Sequence, residues 1–387
     1  MAGVNDAAAR WAAGGLAALT GHADGPPDFG RAAVLAAATD ARPDAGLLLT
    51  GRAGLLGLTR RGTVSAGGAT RLLPAADGWI ALTLSRPDDL DAVPALLRRD
   101  GLGADPWPAL TGWAATRPAA EIVERAVLLD LPVAALGETA PAAPRVHRLG
   151  PSAAPRSPAG LLVADLTSMW AGPLCGRLLA DAGATVVKVE SPRRPDGTRA
   201  GDRRFFDWIN TGKLSYAADF DVDADRLRAL IGAADVVLEG SRPAALTRRG
   251  LGPGDVAGPP GRVWLRVTGH GAESGRVAFG DDAAVAGGLV GAGGGTPVFC
   301  GDAIADPLTG IAAAAAVIES LTRGGGELIE LSMAAVAANY AALPVISPGH
   351  PPQARPPVAP PPSAPAAALG ADTAAVDRLV ADRSPRC

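Results

Sequence analysis

The sequence predicts an α/β fold: a doubly wound, mostly parallel sheet with a second, smaller α/β domain. Two observations carry this. From about residue 160 to 340, apolar runs of strand length alternate with helical segments, the pattern of βαβ units. The first 137 residues carry their own, shorter set of strand and helix patterns. In the larger part, LLVADL (161–166) is the first strand, and helical spacing follows over 173–183, where a terminal glycine suits a helix stop. TVVKVE (185–190) is the next strand. After an irregular stretch come a strand in LSYAADF (214–220) and a helix over 224–234. DVVLEG (235–240), RVWLRVTG (262–269) and, after an apolar helix over 307–321, ELIELS (327–332) are further strands. Ligands of such sheets sit at the carboxyl ends of strands, which directs attention to the loops after Leu166, Glu190, Gly240 and Gly269.

In the N-terminal part, WIALTL (79–84) is a strand introduced by the turn-like Ala76-Asp77-Gly78. Helical segments follow near 87–99, 106–115 and 118–130, then a short strand, PVAAL (132–136). Residues 138–159 are rich in Pro and Ala and lack periodicity, so they read as a linker. The expected division is a small α/β segment over 1–137, this linker, a sheet domain over 160–343, a Pro-rich segment over 344–370, and a C-terminal helix and tail over 371–387.

Composition narrows the function. Among 387 residues, 36 basic and 39 acidic side chains leave a net charge of -3, which argues against nonspecific nucleic-acid binding. Cys175, Cys300 and Cys387 form no CxxC pair, and His22, His147, His270 and His350 are scattered, so no metal site is expected. Free thiols suit a reducing compartment. No apolar run reaches membrane-spanning length, and the N-terminus lacks the features of a signal peptide. The expected location is cytoplasmic. Lys188 and Lys213 are the only lysines in an otherwise arginine-based chain.

Four segments carry chemistry when read together: DLTSMWAGP (165–173) with LLADAGATVVKVE (178–190), FFDWINTGKLSYAADF (205–220), ADVVLEGSRPAALTRRGLG (234–252), and FCGDAIADPLTGIAAAAAVIESL (299–321). In type and order they closely resemble the class III CoA-transferases, the CaiB/BaiF family, which also contains α-methylacyl-CoA racemases. The N-terminal part resembles the small domain of the same family, placed before the Rossmann-like CoA-binding part instead of after it, so the chain looks permuted or derived from a tandem pair.

The resemblance implies a nucleophilic aspartate at Asp306, in ADPLTG (305–310). Its carboxylate would attack an acyl-CoA thioester, and a small carboxylic acid would complete the exchange. By position alone Asp306 also suits the N-cap of the helix that follows, since Asp is a favoured cap. Asp302 is a rival four residues earlier, ranked second as a loop-ordering carboxylate. Asp281 and Asp282 suit a helix start; racemases of the family carry histidine in the register of Asp281, so its absence favours transfer over racemisation. For CoA, the loop Glu239-Gly240-Ser241-Arg242-Pro243 follows a strand at the switch point, where exposed N–H groups can meet a ligand. Arg248 and Arg242 match family arginines near CoA, although each also reads as an ordinary exposed arginine. Trp170 and Ala171 match positions lining the CoA site, and Trp170 reads equally as core.

Thr268, Gly269 and His270 end a strand; His270 replaces the more usual Tyr or Phe and is a candidate to stack on a base. Ser191 stands where some members carry a CoA-binding arginine, with Arg193, Arg194 and Arg199 close by, and Asp221 stands where some carry lysine. Both lysines fall inside the recognised motifs, a pointer toward CoA. The glycine runs 293–295 and 324–326 lack the strand-to-helix setting of a dinucleotide or P-loop fingerprint. The implied protein is a homodimeric CoA-transferase with CoA or acyl-CoA as substrate and no permanently bound cofactor. The alternatives are an acyl-CoA racemase or epimerase of the same fold, or a non-catalytic acyl-CoA-binding relative.

Overall fold

A computed structural model describes residues 2–101, 103–242 and 244–383; Pro243 and Cys387 lie outside the described residues. In chain order the elements are α1 (Ala2–Ala13), α2 (Leu16–Leu19), α3 (Ala32–Ala41), α4 (Ala45–Leu56), β1 (Thr70–Ala75), β2 (Gly78–Thr83), α5 (Pro87–Leu97), α6 (Trp107–Ala114), α7 (Ala119–Leu128) and β3 (Val133–Ala135). Then come β4 (Arg145–Arg148), β5 (Leu162–Leu166), α8 (Ala171–Asp181), β6 (Thr185–Glu190), α9 (Arg203–Asn210), β7 (Leu214–Ala217), α10 (Ala224–Ala233), β8 (Val236–Glu239) and β9 (Val263–Thr268). The last are α11 (Gly280–Ala286), β10 (Val290–Gly293), β11 (Thr296–Phe299), α12 (Ala305–Thr322), β12 (Glu327–Ser332), α13 (Met333–Ala341) and α14 (Thr373–Arg383).

The chain forms two compact units. One comprises residues 1–142, 269–308 and 333–360; the other comprises 143–268, 309–332 and 361–387. Residues 269–308 and 333–343, grouped by sequence with the sheet domain, pack instead with the N-terminal segment. The reason is physical: periodicity reports which face of an element is buried, not which distant segment buries it. Gly287, the residue just after α11, illustrates this, because a Cβ there would overlap the backbone of Ala334, Ala337 and Ala338 on α13, some fifty residues away.

The second unit holds a seven-stranded sheet in the order β4-β12-β9-β8-β5-β6-β7. Every pair is parallel except β4 on β12. From β5 the chain winds outward to β6 and β7, then crosses to β8, β9 and β12 on the other side, the doubly wound arrangement expected. That reversal opens a crevice between the carboxyl ends of β5 and β8. The strands are apolar because both faces are covered, with Leu162, Ala164, Val187, Val189, Val237 and Trp264 in one core. The segment read as a linker supplies β4, paired from Glu327↔Arg148 to Glu330↔Arg145. Its sequence, RVHR, hid this because all four residues are exposed on an edge strand and need no apolar run.

In the first unit, β1, β2 and β3 form an antiparallel sheet, with Ala75 opposite Gly78 across the expected turn. Leu73, Ile80 and Leu82 pack on α5, α6 and α7 through Val93, Leu96, Leu110 and Ile122. The alternate residues Leu72 and Ala81 face Val285 of α11 and Phe299 of β11. Among the described residues no helix is long and apolar enough to cross a membrane.

Candidate active site

α12 begins directly after a tight turn over 300–304, and Asp306 is its second residue. Asp306 therefore lies one step inside the helix and not at the cap. In that first turn, unpaired N–H groups and the helix dipole favour a carboxylate. Gly280, which opens α11, comes so close that a Cβ there would overlap Asp306 Oδ2 and the Ala303 carbonyl. Glycine is thus what lets the two helix starts meet.

Three more aspartates gather around the turn, all in the first unit. Asp281 Oδ1 accepts from the Ala303 N–H at 3.0 Å and its Oδ2 accepts from Thr70 Oγ1 at 3.3 Å. Ala303 itself is in the left-handed region, at φ 43°, which is uncommon for a residue with a Cβ. Asp282 Oδ1 accepts from the Phe279 N–H at 3.0 Å and from Thr83 Oγ1 at 2.9 Å, closing the start of α11. Asp302 Oδ1 pairs with Arg52 Nη1 of α4 at 2.5 Å. Asp282 Oδ2 and Asp302 Oδ2 are buried without a hydrogen-bond partner among the described residues.

Burial dominates the electrostatics. It pushes Asp281 up to about 6, helped by the neighbouring Asp302 charge and opposed by Arg52. It pushes Asp282 up to about 7. Asp302 is also raised by burial, against the pull of Arg52. Burial alone would lower Arg52, but attraction to Asp302, Asp281 and Asp306 holds it above its ordinary value.

The second unit places Trp170, Ala171, Gly240, Ser241, Arg242, Arg248 and Thr268 at or just beyond the carboxyl ends of β5, β8 and β9. The crevice is tight: a Cβ on Gly240 would lie 3.3 Å from the Thr167 side chain. Trp170 and Ala171 are buried, and Trp170 stacks edge-on against Phe205 with ring centres 5.2 Å apart. Ser241 Oγ donates to Glu239 Oε1 at 3.0 Å, while Arg242 and Arg248 are exposed. Gly269 and His270 belong to the first unit. The His270 ring is only 4% exposed, packed inside that unit and not presented for stacking. Burial, then Arg276, push it down to about 3, so it is neutral.

Other basic residues are already engaged. Arg199 grips Glu190 at 2.8 and 2.6 Å, and Arg193 meets Asp219 at 2.7 Å. The two lysines, read from sequence as a pointer toward CoA, are interior ties instead. Lys188 Nζ donates to Asp196 at 2.7 Å and to the Thr167 carbonyl at 3.2 Å. Lys213 Nζ donates to Asp165, the Pro173 carbonyl and Asn210 at 3.0, 2.7 and 3.1 Å. Their scarcity marks positions where an ammonium is enclosed, not a ligand surface.

Sequence reasoning passed over Arg52 and Gly280. A signal for Arg52 was present: it is the one charged residue in AGLLLTGRAGLL, the otherwise apolar α4. A lone charge inside an apolar helix asks for a buried partner.

The sequence has counterparts among known proteins. The model of CoA-transferase family III matches residues 159–364. The chain belongs to this family. It is 33% identical over 223 residues to a succinate–glutarate CoA-transferase of Agrobacterium fabrum, covering 50% of this chain and 56% of that protein. It is 35% identical over 133 residues to a probable fatty acyl-CoA transferase of Mycobacterium tuberculosis, covering 31% of this chain and 34% of that protein. The chain thus spans about half the length of the first relative and about a third of the second. A solved CaiB/BaiF family protein from Brucella suis is 28% identical, with a TM-score of 0.44 over 48% of this chain and 55% of that one.

Proposed function

We propose that the chain moves CoA between an acyl-CoA thioester and a carboxylic acid, with Asp306 as the nucleophile. The observation that carries this is the half-buried Asp306 carboxylate in the first turn of α12, inside the region that matches the family and facing the bare backbone of Gly280. The carboxylate adds to the thioester carbonyl; the C–S bond breaks and CoA leaves as a thiolate, giving an acyl-aspartyl anhydride. The thiolate then attacks the aspartyl carbonyl and expels the donor acid, leaving an aspartyl-CoA thioester. The acceptor carboxylate repeats the two steps in reverse and restores Asp306. No proton is gained or lost overall, so the site needs a nucleophile and charge control more than an acid/base pair. CoA would lie along the crevice between β5 and β8, with Gly240, Ser241, Arg242 and Arg248 on its β8 side. Assembly as a homodimer belongs to the same reading.

Succinyl-CoA with glutarate, suggested by the name of one relative, is the first pair to test within a panel of CoA esters. Hydroxylamine should convert Asp306, and no other aspartate, to a hydroxamate after incubation with an active ester, as read by mass spectrometry. Asp306→Asn should abolish both label and exchange. An unlabelled Asp306 across the panel sinks the proposal and leaves a binding protein. One observation favours a racemase: Asp281, at about 6, can exchange a proton near neutrality. Deuterium entering the α-carbon from heavy water, without CoA exchange, would establish that reading instead.

A further inference from the structure

The carboxyl groups of Asp281, Asp282, Asp302 and Asp306 come from α11, the 300–304 turn and α12, all within or beside the family-matching region. The cation that Asp281, Asp302 and Asp306 share comes from elsewhere: Arg52 lies on α4, outside residues 159–364. We propose that Arg52 is the positioning residue of this site, anchoring the 300–304 turn through Asp302 and setting the charge that Asp306 experiences. The inference rests on Asp306 being the nucleophile.

Two features of the geometry support it. The turn that delivers Asp306 is held from both sides, by Arg52 on Asp302 at 2.5 Å and by Asp281 on the Ala303 N–H at 3.0 Å. Between those anchors Ala303 keeps its left-handed conformation, a strain that persists only where the surroundings fix it. Charge gives the second reason. Four ionised aspartates with one arginine would leave three uncompensated negative charges in a desolvated space, and both substrates, CoA ester and free acid, are anionic. Arg52 opposes ionic repulsion at Asp281, Asp302 and Asp306 together. The hydrogen-bond donors recorded at Asp281 and Asp282 are neutral: the Ser65, Thr70 and Thr83 hydroxyls and the Phe279 and Ala303 N–H groups.

The test uses the full chain, its Arg52→Met and Arg52→Lys variants, and acetyl-CoA as the probe alongside succinyl-CoA. Hydroxylamine labelling of Asp306 is followed against pH, and the aspartate carboxyl carbons are titrated by 13C NMR. With Arg52→Met, the acid limb of labelling should move up by about one pH unit, since removing an attracting cation raises a carboxyl. At a fixed pH on the acid limb labelling should fall about tenfold for a one-unit shift, and it should recover at higher pH. Arg52→Lys should return the limb toward its original position. A purely structural arginine would instead lower labelling equally at every pH, with no rescue by lysine, and that result overturns the proposal. Should Arg52→Met fail to fold, Asp302→Asn carries the test: freeing Arg52 from its main partner should move the limb to lower pH, and an unmoved limb overturns the proposal. If the unaltered protein is never labelled, the nucleophile reading fails separately. The carboxyl titration then decides whether Arg52 sets the local charge, and midpoints unmoved by the variants refute it.

Discussion

Asp282 is completely buried at the start of α11, with one carboxyl oxygen bonded twice and the other without a partner. Its raised value, about 7, has a consequence for stability. In the unfolded chain the group ionises near 4, but in the fold it keeps its proton until about 7. Stability from this group is therefore fully present below about pH 4 and is lost as pH rises toward about 7. At about 1.4 kcal/mol per unit, the loss is on the order of a few kcal/mol. His270 runs the other way: held neutral at about 3, it costs stability as pH falls below its unfolded value near 6.5. Comparing proteins that share His270 removes that slope. Asp282→Asn should thus gain on the parent as pH rises from 4 to 8, read as a widening difference in urea midpoint. A constant difference would show that Asp282 does not carry the proton. At this scale the sequence was only half legible. A motif points to Asp306 as the candidate, whereas the contacts of Arg52 and Gly280 run to residues separated from them by long stretches of chain.

Elements were the most legible level, because helices and buried parallel strands write their periodicity locally. β6 and α10 fall within a residue of expectation, and the glycines at 324–326, all at positive φ, follow the end of α12. β4 escaped because an exposed edge strand has no apolar signature, and the runs of interior strands concealed which polar residues were paired. Lys213 is the clearest case. It joins β5 through Asp165, the first turn of α8 through the Pro173 carbonyl and the end of α9 through Asn210, using all three of its N–H groups. Burial pulls its pKa down while Asp165 pulls it up. Lys213→Met keeps the stem but leaves Asp165 in the interior without its ion-pair partner, a loss that typically costs about 3–5 kcal/mol. Chemical denaturation should show that loss with a largely unchanged slope. An effect below about 1 kcal/mol, the range of exposed pairs, would mean that the carboxylate is otherwise compensated.

The level that sequence described least well is the whole molecule, since each unit is assembled from three separate stretches. A cut in the Pro/Ala-rich segment would seem to release an independent N-terminal domain. The packing of the first unit argues otherwise. The Leu72 and Ala81 face of its sheet is covered by Val285 and Phe299. The Gly137 and Thr139 N–H groups bond to the carbonyls of Val285 and Ala286, each at 2.9 Å. Arg31 is satisfied by the carbonyls of Val290, Gly288 and Ala341 at 2.8, 3.0 and 2.8 Å. All of these partners lie beyond residue 268, so residues 1–150 alone would expose an apolar sheet face and strand a guanidinium that has lost its acceptors. Fragment 1–150, made alone, should lack the dispersed amide spectrum of a packed core, and co-expression with 151–387 should restore it. A cooperative melt from 1–150 alone would mean that its own α1–α4 and β1–β3 suffice as a core, and that residues 269–308 merely dock onto it.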